Sequence, residues 1–265
     1  MVDSLIYNIH RIDTSHQHTT KVQHMKKLIV PIFTAIMMIS GCAQHNEALQ
    51  DIHDDQPIVN YAFGDSTVSL SDGQVVSRHF DNKCAVERGN WASLLPGETT
   101  NLSCPGFDIK QTKKIVEQSD IDTVQPDNIF ITIGSNQMRN DKSLKVSREE
   151  LADLVDTIHN KSPQSELYFV GYLKIDANST CLQNVDKSHQ DYATYLDTLH
   201  DRGDQGMREI SRRKNIIFIN MRHLEYDLCG TDTFVRLPWE PGGAPWHTTP
   251  AGHRAIADEI IKNIS

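Results

Sequence analysis

The sequence predicts an α/β protein, a single doubly wound (flavodoxin-like) three-layer α/β/α domain with a parallel five-stranded sheet. Short apolar runs alternate with longer segments of helical periodicity, as in parallel sheets covered by helices. Two of these runs stop abruptly at a glycine, Gly64 and Gly134. The chain has 265 residues, 38% hydrophobic and 23% charged, which is ordinary globular composition.

Five strands are predicted, at about residues 58–63, 99–103, 128–133, 167–171 and 216–219. Helices are predicted at about 91–95, 108–119, after Ser147, at 188–213, and from Thr249-Pro250 onward. Ser147 and Glu150 form a capping box before an apolar helix face. Three polar loops, 69–90, 137–146 and 175–186, are expected to form the walls of a pocket.

The N-terminal region divides into segments with different composition. Residues 1–24 are polar and His-rich and are interpreted as a non-native or disordered extension, with Met25 as the expected true start. Residues 25–41 have the layout of a signal peptide, a basic start and then an apolar run too short for a comfortable membrane span. Residues 42–56 are interpreted as a tether, and residues 57–265 as a single folded domain.

The end of the signal segment, Ile39-Ser40-Gly41-Cys42, resembles the lipobox of bacterial lipoproteins. The resemblance implies that Cys42 is lipidated, and Ala43 after it favours the outer membrane. We therefore expect a lipid-anchored protein of the bacterial cell envelope. A plain secretory signal with a coincidental cysteine is the alternative.

The other four of the 5 cysteines are Cys84, Cys104, Cys181 and Cys229. An even set in an exported protein indicates two disulfides, and four reduced thiols are the alternative. Three pairings are possible, of which Cys84–Cys104 with Cys181–Cys229 closes the two shortest loops. No spacing typical of zinc occurs, so no metal or other cofactor is expected.

The formal net charge is -9, and no long basic run interrupts this acidic excess. Such a balance argues against a nucleic-acid partner.

Candidate catalytic residues follow the predicted strands or precede the last helix, and in a parallel sheet these ends meet at one edge. Ser66 follows the first strand after Gly64-Asp65, and His247 precedes the last helix. Ester hydrolysis needs a nucleophile, a base and donors for an oxyanion. We predict Ser66 as nucleophile and His247 as base, with the backbone N–H groups of Ser66 and Gly106 and the Asn136 amide as oxyanion donors. By itself Gly-Asp-Ser also fits an ordinary turn.

Ser, Gly, Asn and His in this order resemble the SGNH (GDSL) hydrolase superfamily, over about residues 59–257. The motifs are Gly64-Asp65-Ser66, Gly106, Gly134-Ser135-Asn136, and His247 with Pro250 to His253. Gln137 stands where that family usually has Asp.

A closer resemblance is to the secreted, disulfide-bonded lipase and esterase branch. It rests on Cys84, the Trp91 to Leu95 segment and Cys104. The resemblance implies the pairing Cys84–Cys104 and Cys181–Cys229.

The sequence departs from the family pattern at the acid that orients the catalytic histidine. The family usually has Asp three residues before that histidine, where this chain has Ala244. A backbone carbonyl from Ala244 or a neighbour is expected to orient His247, with Asp232 and Glu240 as side-chain alternatives. His253 is expected to have a packing role.

The expected function is a monomeric serine esterase or lipase acting on a small-molecule or lipid ester. A carbohydrate O-acetyl esterase and a catalytically inactive envelope-binding lipoprotein are the alternatives.

Overall fold

The computed structural model describes residues 57–141, 145–241 and 243–264. The extension 1–24, the signal segment 25–41, Cys42 and the rest of the tether 42–56 lie outside the described residues. Among the helices that are described, none combines the length and the apolar character needed to cross a bilayer.

Five parallel strands form the main sheet, which confirms the predicted fold class. The strands are β1 (Val59–Gly64), β4 (Glu98–Asn101), β5 (Asn128–Thr132), β6 (Glu166–Val170) and β7 (Ile217–Ile219). Their spatial order is β4-β1-β5-β6-β7, and every neighbouring pair is parallel. Counted within this sheet the order is 2-1-3-4-5, the order of flavodoxin-like folds.

Both faces of the sheet are covered. Every residue of β5 is buried, and so is every residue of β1 and β6 after the first. Because successive residues of a strand point to opposite faces, this burial requires packing on each side. Phe63, Phe130 and Phe169 are fully buried in the central strands.

The helices flank the sheet. They are α1 (Ser66–Ser69), α2 (Ile109–Gln118), α3 (Ile121–Val124), α4 (Ser135–Asp141), α5 (Arg148–Lys161), α6 (Thr180–Gln183), α7 (Lys187–Lys214) and α8 (Pro250–Ile261). The predicted cap of α5 is present, since the Ser147 hydroxyl accepts from the Glu150 amide. Thr249 caps α8, with Pro250 in the first turn. Helix α5 packs between α2 and α7, and α8 packs on a 3-10 turn at Trp91–Leu94.

The prediction of a polar loop at 69–90 is wrong, because this segment contains an antiparallel hairpin. Its strands are β2 (Val75–His79) and β3 (Cys84–Glu87). The first four residues of β2 are exposed and the fifth is half-buried, so the strand lacks the apolar alternation that would have indicated it. The reversal passes through Phe80, Asp81 and Asn82, all with positive φ.

Two disulfides are present, in the pairing that the family resemblance implies. Cys84 is bonded to Cys104 with their Cα atoms 4.6 Å apart, and Cys181 to Cys229 with theirs 5.5 Å apart. The first bond ties the hairpin to the segment that follows β4.

Candidate active site

The site begins at the turn between β1 and α1. A side chain at Gly64 would place its Cβ 2.3 Å from the Thr132 carbonyl oxygen and 2.7 Å from a Val68 methyl group. Only glycine fits there, which explains the abrupt end of β1. Ser66 follows as the first residue of α1 and is half-buried.

Asp65 caps α1 and is fully buried. One carboxylate oxygen accepts from the Thr67 amide at 2.9 Å and from the Thr67 hydroxyl at 2.7 Å. The other accepts from the Ser135 and Tyr172 hydroxyls, each at 3.0 Å. Asp65 therefore connects the nucleophile helix with the segments that follow β5 and β6.

His247 contacts the proposed nucleophile directly. Its Nε2 lies 2.9 Å from Ser66 Oγ, and its Nδ1 lies 2.8 Å from the Pro245 carbonyl oxygen. A carbonyl only accepts, so Nδ1 carries the proton and Nε2 is free to accept from the Ser66 hydroxyl. This is the arrangement that a general base requires.

The orienting carbonyl belongs to Pro245, so the expectation of Ala244 is corrected by one residue. The Ala244 carbonyl instead accepts from the His247 amide at 3.4 Å and closes a four-residue turn. Proline in the second position and Trp246 at φ 63 in the third match a type II turn. In a type II turn the central peptide is flipped relative to a type I turn. The Pro245 carbonyl oxygen is therefore available to accept a hydrogen bond from the His247 imidazole.

Neither side-chain alternative bonds to His247 Nδ1. The Glu240 carboxylate accepts from the Leu237 amide at 2.8 Å, and Asp232 is exposed.

A second turn of the same pattern carries Gly106. The Phe107 amide donates to the Cys104 carbonyl at 3.2 Å, with Pro105 second and Gly106 at φ 80 third. Among the described residues, the amides of Ser66 and Gly106 have no acceptor. Both remain available to an oxyanion.

Asn136 lies beside the Gly106 turn and is only 6% exposed. Its Nδ2 donates to the Phe107 carbonyl oxygen at 3.2 Å, which leaves its second N–H unused. Asn136 also lines the same cleft as Ser66 and His247.

The cleft measures about 50 Å³. Besides Ser66 and His247 it is lined by Thr67, Ser135, Asn136, Arg139, Tyr192, Leu196, Leu199, His200, Pro245 and Trp246. Two of the three loops predicted as pocket walls, 69–90 and 175–186, contribute nothing to this lining, while Arg139 comes from the third. The α7 wall was missed, although four of its residues follow the i, i+4, i+7, i+8 spacing of one helix face.

A larger groove of about 570 Å³ lies at the opposite edge of the sheet, where β6 and β7 begin. None of the predicted site residues lines it.

His200, which lines the cleft, belongs to a buried polar group with Tyr172 and Asp204. The Tyr172 and His200 rings stack with centroids 4.5 Å apart, and burial lowers the pKa of His200. Asp204 is fully buried and accepts from the Tyr172 amide at 2.9 Å. Burial raises the pKa of Asp204 to about 7.

His253 is fully buried and has a partner on each ring nitrogen. Its Nδ1 accepts from the Trp91 amide at 3.1 Å, and its Nε2 donates to the Leu70 carbonyl oxygen at 2.7 Å. Burial lowers its pKa to about 4, so it is neutral at physiological pH.

Comparison with known proteins gives one family and several similar folds. The sequence profile of the GDSL-like lipase/acylhydrolase family matches residues 62–255. No curated protein matches the chain.

Three solved structures illustrate the similarity. A phospholipase A1 from Streptomyces albidoflavus is 15% identical, with a TM-score of 0.57 over 79% of this chain and 100% of its own. An extracellular lipase from Streptomyces rimosus is 14% identical, with a TM-score of 0.59 over 78% and 100%. A family 3 carbohydrate esterase from Clostridium thermocellum is 16% identical, with a TM-score of 0.50 over 78% and 94%. At these identities the similarity is one of fold.

Proposed function

Because the chain belongs to the GDSL-like lipase/acylhydrolase family and is therefore an ester-hydrolysing enzyme, we propose that it works through an acyl-enzyme on Ser66. The observation that carries this proposal is the chain of contacts from Ser66 Oγ to His247 Nε2 and from His247 Nδ1 to the Pro245 carbonyl, 2.9 and 2.8 Å long.

In the first half-reaction, Ser66 Oγ attacks the ester carbonyl carbon while His247 Nε2 takes the hydroxyl proton. The carbonyl oxygen becomes an oxyanion that accepts from the Ser66 and Gly106 amides and from Asn136 Nδ2. When the intermediate collapses, the alcohol leaves with the proton from Nε2, and the acyl group stays on Ser66.

In the second half-reaction, water attacks the acyl carbon and His247 Nε2 takes its proton. Collapse then breaks the bond to Ser66 Oγ, which regains that proton from Nε2. The carboxylic acid leaves and the enzyme is restored.

Pro245 has a limited electrostatic effect in this scheme. Its carbonyl fixes the tautomer of His247, as the acid of a Ser-His-Asp triad does. A neutral dipole stabilises the imidazolium less than a carboxylate would, so the proposal includes a modest turnover rate.

A fluorophosphonate probe and a panel of esters test the proposal. Ser66→Ala should lose both labelling and hydrolysis, whereas Ser188→Ala, at an exposed serine on α7, should keep both. Labelling that survives in Ser66→Ala would exclude this nucleophile. p-Nitrophenyl acetate, butyrate and decanoate, together with acetylated xylan, distinguish an esterase or lipase from a carbohydrate deacetylase, and an inactive protein would hydrolyse none of them.

We also propose that residues 57–265 form one hydrolase domain held at the bacterial envelope by a lipid on Cys42. The lipobox pattern at Ile39 to Cys42 supports this, and two disulfides suit an oxidising compartment. Cys42→Ser should release the protein from membranes. An unlipidated N-terminus at Met1, found by mass spectrometry, would contradict the proposal.

A further inference from the structure

We propose that Arg139 makes the cleft selective for esters that carry an oxyanion group, a carboxylate or a phosphate, next to the scissile bond. This inference rests on the proposed function, because it assigns the substrate class of the same cleft.

Arg139 lies on α4, on the same helix face as the proposed oxyanion donor Asn136. Arg139 comes three residues after Asn136 and four after Ser135, so all three lie on one face of the helix. Residues at this spacing have Cβ atoms roughly 5–6 Å apart. All three line the cleft together with Ser66 and His247. Arg139 therefore begins about one helical turn from Asn136, the residue proposed to hold the ester carbonyl oxygen, and lines the same cleft.

The positive charge of Arg139 is not paired with any other described residue. The side chain is exposed, and no other described residue forms an ion pair or a hydrogen bond with it. In contrast, Arg148 is paired with Glu209 at 2.9 Å, and Arg222 with Asp197 at 2.9 Å. The donors of Arg139 are thus available to a ligand.

The described lining of the cleft holds no carboxylate that could neutralise Arg139. Asp65 is nearby but fully buried, and it already accepts four hydrogen bonds. His200 adds no competing cation, because burial lowers its pKa. Arg139 is therefore the fixed positive charge of this cleft.

The α7 part of the cleft lining has a different chemistry. Leu196 and Leu199 of α7 are 8% and 1% exposed, and the aromatic pair Tyr192 and Trp246, whose ring centroids are 5.7 Å apart, lines the same cleft. An uncharged part of the substrate would pack on this wall, while an oxyanion on its other part would reach the α4 wall. Guanidinium binds carboxylate or phosphate through two parallel hydrogen bonds, a geometry that an uncharged ester cannot use.

The experiment compares matched pairs of substrates that differ in one anionic group. The carboxylate pair is 4-acetoxybenzoate and its methyl ester, and the phosphate pair is 1-butyrylglycerol 3-phosphate and 1-butyrylglycerol. For each pair the measured quantity is the ratio of kcat/KM, anionic over neutral, in wild type, Arg139→Gln, Arg139→Lys and Arg212→Gln. Arg212 is a matched control, because it is an exposed arginine of α7 roughly 18 Å along the helix axis from His200.

In wild type the ratio should exceed that of Arg139→Gln by about tenfold for at least one pair, with the change mainly in KM, since Arg139 does not touch the reacting atoms. Arg139→Lys should fall between the two, because it keeps the charge and loses the fork. Arg212→Gln should match wild type. The pair that responds identifies carboxylate or phosphate as the group recognised.

Equal ratios in wild type and Arg139→Gln for both pairs would overturn the inference. Binding of the two anionic esters to Ser66→Ala, measured by calorimetry with and without Arg139→Gln, separates this inference from the proposed function. If wild type hydrolyses neither these four esters nor the p-nitrophenyl esters, the proposed function is wrong. A tenfold weaker binding in the double variant would still support the Arg139 site, and unchanged binding would exclude it.

Discussion

At the scale of single residues, the third member of the proposed catalytic group is a main-chain atom. His247 Nδ1 bonds to the Pro245 carbonyl, while Asp232 and Glu240 are engaged elsewhere or exposed. No single carboxylate should then be essential for turnover.

We expect Asp232→Asn and Glu240→Gln each to keep kcat/KM for p-nitrophenyl butyrate within about tenfold of wild type, or roughly 1.4 kcal/mol of barrier. His247→Ala should lose at least about a hundredfold, because the proposed general base is gone. A loss of about a thousandfold in either acid variant, with an unchanged circular dichroism spectrum, would identify a side-chain acid.

The conformation of Trp246 leads to a second prediction. At φ 63 a non-glycine residue is strained by roughly 1–2 kcal/mol, and a β-branched one by more. Trp246→Val should therefore disturb the turn, whereas Trp246→Gly should keep its path. We expect kcat to be roughly tenfold lower for the valine variant than for the glycine variant. Equal values would mean that the turn does not control the base.

Residue-level prediction from sequence was limited by this same turn. Ser66 and His247 could be singled out because one follows a strand and the other precedes a helix. The choice between Ala244 and Pro245 depends on a positive φ at Trp246, and tryptophan gives no sequence signal for that conformation.

At the scale of elements, the two disulfides should have opposite ranks in stability and in activity. In the loop-entropy account a bond across 20 residues contributes about 3 kcal/mol and one across 48 about 4 kcal/mol. Cys104, however, is the first residue of the Gly106 turn, and its amide donates to the Gly64 carbonyl at 2.9 Å.

Replacing Cys181 and Cys229 by serine should therefore lower the free energy of unfolding more, and replacing Cys84 and Cys104 should lower kcat more. Urea denaturation and p-nitrophenyl butyrate kinetics on the two double variants check both rankings. If kcat is the same in the two variants, the Cys84–Cys104 bond does not position the oxyanion donors.

Sequence patterns located the three central strands β1, β5 and β6 well, because each is largely apolar and buried and ends at a turn. The β2–β3 hairpin and α4 were not located, since β2 is solvent-exposed and α4 is a short polar helix of seven residues. Their placement depends on tertiary contacts that no local pattern records.

At the scale of the whole molecule, two buried groups affect stability in opposite directions as pH changes. His253 has its pKa lowered from 6.5 to about 4, so its contribution to stability is complete above pH 6.5 and is lost as pH falls toward 4. Asp204 has its pKa raised from 3.8 to about 7, so its contribution is complete below pH 3.8 and is lost as pH rises toward 7. Between pH 4 and 6.5 the two effects nearly cancel.

Asp204→Asn should remove the pH-dependent contribution of Asp204 to stability and leave that of His253. We expect the variant to be more stable than wild type at pH 8, and its free energy of unfolding to rise more steeply than that of wild type between pH 4 and 6.5. Urea denaturation of both proteins at four pH values gives the difference, in which the other titrating groups cancel. A difference that does not change with pH would show that Asp204 keeps an ordinary acidity in the folded protein.

The main-chain acceptor at Pro245 also bears on heredity. A carboxylate in that role disappears with a single missense change, whereas all twenty amino acids bring the same carbonyl. The coding position at 245 thus cannot lose the acceptor atom by a simple replacement. Insertions and deletions between 244 and 247 would displace it, because they alter the path of the chain, as would a substitution such as Trp246→Val that disturbs the turn.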